Sequence, residues 1–276
     1  MYFQQFESNF ALSTINFQLS TKMIDTHSHI YSEEFDTDRA ETIQRAKDAG
    51  VQLIILPNCD RSTLSPMLAL EAEYPGYCYA AIGLHPTSVK EDYETELALI
   101  KSEMERRKWI AVGEIGIDLY WDKTFLAEQI IAFQQQIDWA LEYKLPVIIH
   151  TRDSFNETMN ALTPYKNSRL TGVFHSFIGT LEEAREIIAF GGFKLGINGI
   201  VTFKNSGLAA VVEQIAMEHI LMETDSPYLT PTPYRGKRNE SAFVSLVCKK
   251  LAEVYNCSEN EISEQTTLNA KSLFNL

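Results

Sequence analysis

Six side chains of metal-binding type are scattered along the chain: His27, His29, Glu114, His150, His175 and Asp225. Imidazole and carboxylate together suit zinc, manganese or a similar divalent cation. Four histidines and two carboxylates are too many donors for one tetrahedral ion and suit two. A carboxylate shared between them would hold the ions about 3.5–4 Å apart, where they can activate water for hydrolysis. Taken singly, each residue has a plainer explanation. A lone histidine is more often a hydrogen-bonded core residue, and that reading is kept for His219. An Asp before Ser-Pro is more often a turn former. The joint pattern changes the balance, because it depends on where these residues fall in the elements around them.

Eight short apolar runs recur at even spacing, at 23–27, 51–56, 77–82, 109–114, 146–150, 172–175, 193–198 and 220–225. Near-continuous apolar strands fit a parallel sheet buried on both faces. Each candidate lies at or just past the C-terminal end of one of these runs, and so does His85, after the third. The intervals from Glu114 to His150 and from His150 to His175 each suit one βα unit, and that from His175 to Asp225 suits two. Side chains alternate along a strand, so His27 and His29 share a face, as do Glu223 and Asp225. Alternating βα units of this length imply an α/β fold, and eight of them imply a TIM-type (β/α)8 barrel, whose active site gathers at the C-terminal rim of the strands.

The segments between the runs carry helical stripes. In 124–143 the residues Ile130, Phe133, Ile137, Ala140 and Leu141 fall on one face, and Pro146 follows the helix end. Past the eighth run Phe243, Leu246, Val247, Leu251 and Val254 repeat the pattern. Ser258 and Glu261 then have capping-box spacing ahead of an extra C-terminal helix. Residues 1–22 show neither strand alternation nor a helical stripe and are expected to form a loosely attached extension. Residues 23–276 make a single domain of barrel size.

Of the 276 residues, 45% are hydrophobic and 22% charged, which are ordinary globular proportions, and the net charge is −13. That acidity argues against broad electrostatic coating of nucleic acid or anionic lipid, although a small positive or metal-filled site remains open to phosphate. No run approaches the ~18 apolar residues of a membrane span. Four cysteines without a CxxC pair suggest a reduced, cytoplasmic protein.

With these residues placed, the chain resembles the TatD family of metal-dependent deoxyribonucleases, among the amidohydrolase-like barrels. The segments that carry the resemblance are DTHSH (25–29), GLHP (83–86), GEIGID (113–118), IHTR (149–152), FHSF (174–177), GIVTF (199–203), ETDSPYL (223–229) and RGK (235–237), in family order. The resemblance implies that His27, His29, Glu114 and Asp225 hold one metal and that Glu114 bridges to a second, completed by His150 and His175. It further implies that Asp225 orients or deprotonates the attacking water, and that His85, Arg152, Lys204, Arg235 and Lys237 face the substrate phosphate. The chain departs from the family pattern at Leu119-Tyr120-Trp121 and at Glu240-Ser241, both in loops on the substrate side.

The expected activity is therefore exonuclease-type hydrolysis of DNA, with single strands or 3′ ends as substrate and two divalent ions (Zn, Mg or Mn) as cofactors. The acidic surface favours attack at ends over tight duplex binding. A monomer is expected, with no membrane and no obligate protein partner. Two alternatives use the same residues: hydrolysis of a carboxylic ester, lactone or amide, including an aminoacyl group on transfer RNA, and a metal-binding barrel without turnover.

Overall fold

The computed structural model describes residues 22–276. Strands and helices alternate along the chain. The strands are β1 (Met23–Asp25), β2 (Val51–Pro57), β3 (Cys78–Ala81), β4 (Val112–Asp118), β5 (Val147–Arg152), β6 (Gly172–Phe174), β7 (Phe193–Ile197) and β8 (Ile220–Met222). All pair in parallel, β1-β2-β3 in one run and β4 through β8 in another. Two seams join these runs into a ring. At one, Ile82 bridges Val112, flanked by hydrogen bonds from Ile110 N to Ala80 O (3.2 Å) and from Gly113 N to Ile82 O (2.8 Å). At the other, Ser28 bridges Ser226, and Thr26 N donates to Met222 O (3.1 Å). The eight-unit barrel expected from the repeat is the fold observed. The extension expected over 1–22 lies outside the described residues, apart from Lys22.

Helices α1 (Arg39–Asp48), α2 (Arg61–Glu73), α3 (Tyr93–Arg106), α4 (Leu126–Tyr143), α5 (Phe155–Leu162), α6 (Leu181–Phe190), α7 (Leu208–Val212) and α8 (Val244–Tyr255) follow the strands in order. Their buried sides form one large cluster with the outward residues of the strands, among them Ile54, Leu56, Ile117, Ile149, Phe133, Ile137 and Leu251. The expected stripe of α4 is buried at Phe133, Ile137 and Ala140. It also carries two buried glutamines, because their amides satisfy backbone groups of the barrel. Gln136 accepts from Leu84 N (2.7 Å), and Gln129 accepts from Asp118 N (2.8 Å) at the end of β4. Lys144, in the left-handed conformation with φ 58°, ends α4 ahead of Pro146.

A second cluster lies inside the ring. Ile24, Leu53, Ile55, Ala81, Ile148, Val173 and Leu221 come from six strands and pack with Ala270, Leu273 and Phe274 of the last helix, α9 (Glu259–Phe274). The capping box starts this helix: Ser258 Oγ accepts from Glu261 N (3.2 Å), and Glu261 Oε2 accepts from Ser258 N (2.8 Å). The extra C-terminal helix is thus the plug of the barrel floor. Ser263 and Thr267 on the same helix donate to Lys22 O and fix the entry to β1.

Candidate metal centre

The strand ends differ from the sequence expectation in a way that shapes the site. β1 stops at Asp25, which leaves His27 and His29 in the following loop. That loop is stitched to the one after β8: Asp225 N donates to His27 O (2.9 Å) and His29 N to Ser226 O (2.8 Å). Asp225 itself sits at φ 58°, a left-handed conformation that aspartate tolerates better than most residues and that recurs at functional sites. β4 does not end at Glu114 but continues to Asp118. It can do so because Gly116, at φ 148°, pairs with His150 so closely that a Cβ there would overlap the His150 carbonyl. Glu114 therefore lies deep in the ring, 2% exposed, with its N–H on Asn58 O (3.0 Å).

Around Glu114 the other five converge. Its Oε2 is 3.2 Å from His27 Nε2 and 3.8 Å from His29 Nε2. Its Oε1 is 2.8 Å from His150 Nδ1 and 3.7 Å from His175 Nε2. Asp225 Oδ1 lies 3.7–3.8 Å from the Nε2 atoms of His27, His29 and His175. Donors on one tetrahedral ion with bonds of about 2.0–2.1 Å are spaced about 3.3 Å apart, which is close to these separations.

Neighbouring groups fix the ring tautomers. Tyr31 Oη donates its one proton to Pro57 O (2.6 Å), so toward His29 Nδ1 (2.8 Å) it accepts. His29 Nδ1 then carries the hydrogen, and Nε2 presents a lone pair only 3.1 Å from His27 Nε2. Burial, chiefly, holds His27 well below its usual pKa and brings His29 down to about 4, so both rings are neutral. Two imidazole nitrogens facing each other at this distance, beside a carboxylate, are a donor set that a divalent cation fits and bulk protein does not explain.

Two further carboxylates flank the remaining candidate ligands. Asp118 Oδ2 lies 2.8 Å from His150 Nε2, and Glu223 Oε1 lies 3.0 Å from His175 Nδ1, off the line of a hydrogen bond. Each turns the opposite nitrogen of its ring toward Glu114. Burial disfavours the charged form of His175, but Glu223, Glu114 and Asp225 outweigh it and raise the ring to about 10 in the metal-free protein. Burial likewise pushes Asp225 up to about 7, against the opposing charge of His175.

His85 also reaches the cluster, with Nε2 3.3 Å from Glu114 Oε1. Its Nδ1 accepts from Thr87 N (3.2 Å), so Nε2 carries the hydrogen and offers a donor, not a lone pair, to the centre. The other residues expected at the phosphate surround this core on the loops of the same rim. Arg152 ends β5 with its guanidinium 3.6 Å over the Tyr120 ring. Lys204 lies exposed after β7, and Arg235 and Lys237 are exposed after β8. Among the described residues none of these four forms an ion pair with an acidic side chain.

Sequence reasoning gave no site role to Asp118 or Glu223, although both stand in the segments that carry the resemblance, and it passed over Tyr31 and Asn58. The parity of 114, 116 and 118 along one strand pointed to Asp118. Nothing local pointed to Asn58, which meets Glu114 across the barrel, and although Tyr31 is two residues from His29, its role there rests on its distant bond to Pro57 O. His219 lies outside the cluster, in the turn before β8.

A family model described as TatD related DNase matches residues 24–275. An uncharacterized metal-dependent hydrolase, YabD of Bacillus subtilis, is 40% identical over 92% of this chain and 99% of its own. A protein of Erwinia billingiae named 3′-5′ ssDNA/RNA exonuclease TatD is 30% identical over 92% of this chain and 99% of its own. Among solved structures, the TatD homologue YjjV of Escherichia coli superposes with a TM-score of 0.86 at 32% identity, covering 92% of this chain and 98% of that one.

Proposed function

The chain belongs to the TatD related DNase family of metal-dependent hydrolases, and from that premise we propose that it removes nucleotides from the 3′ end of single-stranded DNA by hydrolysis of the terminal phosphodiester. One observation carries the reading: the two oxygens of a single buried carboxylate, Glu114, face two different sets of histidines. His27, His29 and Asp225 with Glu114 Oε2 would hold one divalent cation, and His150 and His175 with Glu114 Oε1 a second. When bound, such ions lower the pKa of water and offset charge developing on phosphoryl oxygens.

The chain's own groups have separate tasks. Asp225, the most solvent-accessible acid of the centre, takes the proton from the attacking water with whichever oxygen its metal contact leaves free. His85 donates from Nε2 toward the oxygen that replaces its contact with Glu114. Arg152, Lys204, Arg235 and Lys237, without acidic partners among the described residues, supply positive charge at the mouth of an otherwise acidic protein, Arg152 and Arg235 through planar forks that match a phosphate.

The reading includes residues 23–276 as the catalytic unit, acting in the cytoplasm as a monomer without an obligate protein partner. Four free thiols suit a reducing compartment. Among the described residues no helix is long and apolar enough to cross a membrane. Among the described residues, the exposed large apolar side chains Tyr120, Trp121, Ile178, Tyr228 and Tyr234 lie on loops that follow strands, and Ile131 and Leu268 lie singly on α4 and α9.

The test is activity on defined oligonucleotides after chelation and re-addition of each cation, run beside panels of carboxylic esters, lactones and aminoacyl-RNA. The expected result is cation-restored shortening of single strands from the 3′ end. Turnover confined to the carboxylic panels would overturn the reading.

A further inference from the structure

Trp121 is 71% exposed, the largest value for any bulky apolar side chain among the described residues, whereas the chain's other two tryptophans, Trp109 and Trp139, are buried. Leaving an indole in water forfeits the free energy of its burial unless a partner covers it. Its position is not loose. Asp118 Oδ1 accepts from Tyr120 N (3.0 Å) and Trp121 N (3.4 Å), while Oδ2 of the same carboxylate engages His150. The loop that presents the indole is thus fastened to a residue of the metal centre. Tyr120 meets Trp121 edge to face, with ring planes at 88°. Arg152 pairs with Asp118 in the β4–β5 register, and its guanidinium carbon stacks 3.6 Å from the Tyr120 centroid and 5.5 Å from that of Trp121. The result is two aromatic rings and one planar cation, without an acidic partner among the described residues, beside the proposed phosphate-handling centre.

We propose that Trp121, held by Tyr120 and Arg152, is a stacking platform for an unpaired base of the single-stranded nucleic acid whose phosphate lies at the Glu114–Asp225 cluster. The inference rests on the nuclease reading above. Its chemistry is that of sequence-tolerant single-strand binding, in which a ring face accepts any base and a neighbouring arginine adds cation–π attraction and charge. In a protein of net charge −13, affinity for the strand beyond its scissile phosphate has to come from such contacts and not from general electrostatics. A base within a duplex already stacks on its neighbours, so the platform selects unpaired ends.

The experiment compares wild type, Trp121→Ala and Trp121→Phe, each metal-loaded, on oligothymidylate and on a strand of equal length made of abasic residues. Trp121→Ala is expected to raise KM on oligothymidylate about 5- to 150-fold with kcat held, to match wild type on the abasic strand, and to be largely rescued by Trp121→Phe. Because Trp121 is the exposed tryptophan, oligothymidylate is also expected to quench the emission of wild type in a stopped-flow mix, and the abasic strand is not. An unchanged KM, or an equal rise on both strands, overturns the platform. If wild type cuts neither strand, the quench decides separately: base-dependent quenching keeps the platform and sinks the nuclease reading, and its absence sinks both.

Discussion

The carboxylate of Glu223 lies 3.0 Å from Nδ1 of His175, so a residue outside the expected ligand set decides which face of that imidazole meets Glu114. Room for it comes from β7, where a Cβ on Gly196 would overlap the Glu223 carboxylate. Removing an orienting partner of this kind typically weakens metal binding 10- to 100-fold. Glu223→Gln should therefore raise the metal dissociation constant by about that factor, read by competition with a chelating dye, with kcat mostly recovered at saturating cation. An unaltered constant would mean that the His175 ring is positioned by packing alone.

Glu114 should behave differently, since both halves of the centre share it. Glu114→Ala is expected to lose more than one bound ion per chain by elemental analysis and to lower activity by more than about 100-fold at any cation concentration. A variant that kept a full metal complement would remove the bridging role.

Asp225→Asn separates holding from proton transfer. The amide oxygen can still face a cation but the side chain no longer takes up a proton. The expected outcome is a fall in kcat of about 10²–10⁴-fold with metal content reduced much less. Equal losses in the two quantities would make Asp225 a ligand and nothing more.

Acid dependence follows from Asp225 as well. Burial is the largest influence on this carboxyl, lifting it from 3.8 to about 7 in the metal-free protein. A carboxyl raised on folding holds its proton more tightly when folded. Its contribution is complete below about 3.8 and is lost as pH climbs through about 7. A bound cation favours the ionised form and offsets that loss. The gap in Tm between metal-loaded and chelated protein, followed by calorimetry, should widen from pH 5 to pH 8. A gap independent of pH would contradict the assignment.

Gly116 tests the barrel's part in the site. A methyl group there meets the His150 carbonyl, on a backbone with φ 148° that suits glycine. Overpacking and backbone strain together should cost Gly116→Ala about 3 kcal/mol in urea denaturation, with metal affinity falling because β4 and β5 carry Glu114 and His150. Normal stability with intact metal binding would show that the close approach is dispensable.

The sequence alone determined the repeat and the residue types of the candidate centre. Eight apolar runs of strand length, separated by helical stripes, dictate a parallel ring, because that is how alternating βα units bury both faces of every strand. His27, His29, Glu114, His150, His175 and Asp225 were legible because a closed ring brings every strand's C-terminal end to one rim, whatever the separation along the chain. The capping box at Ser258 was legible because its bonds are local. Only the tertiary structure decided that β4 runs on to Asp118, that α9 plugs the floor, that Tyr31 fixes the tautomer of His29 through its bond to Pro57 O, and that Asp118 and Glu223 flank the outer nitrogens of His150 and His175. Those features depend on how closely two backbones approach and on hydrogen bonds between residues far apart in the chain, and neither periodicity nor spacing encodes a distance across the barrel.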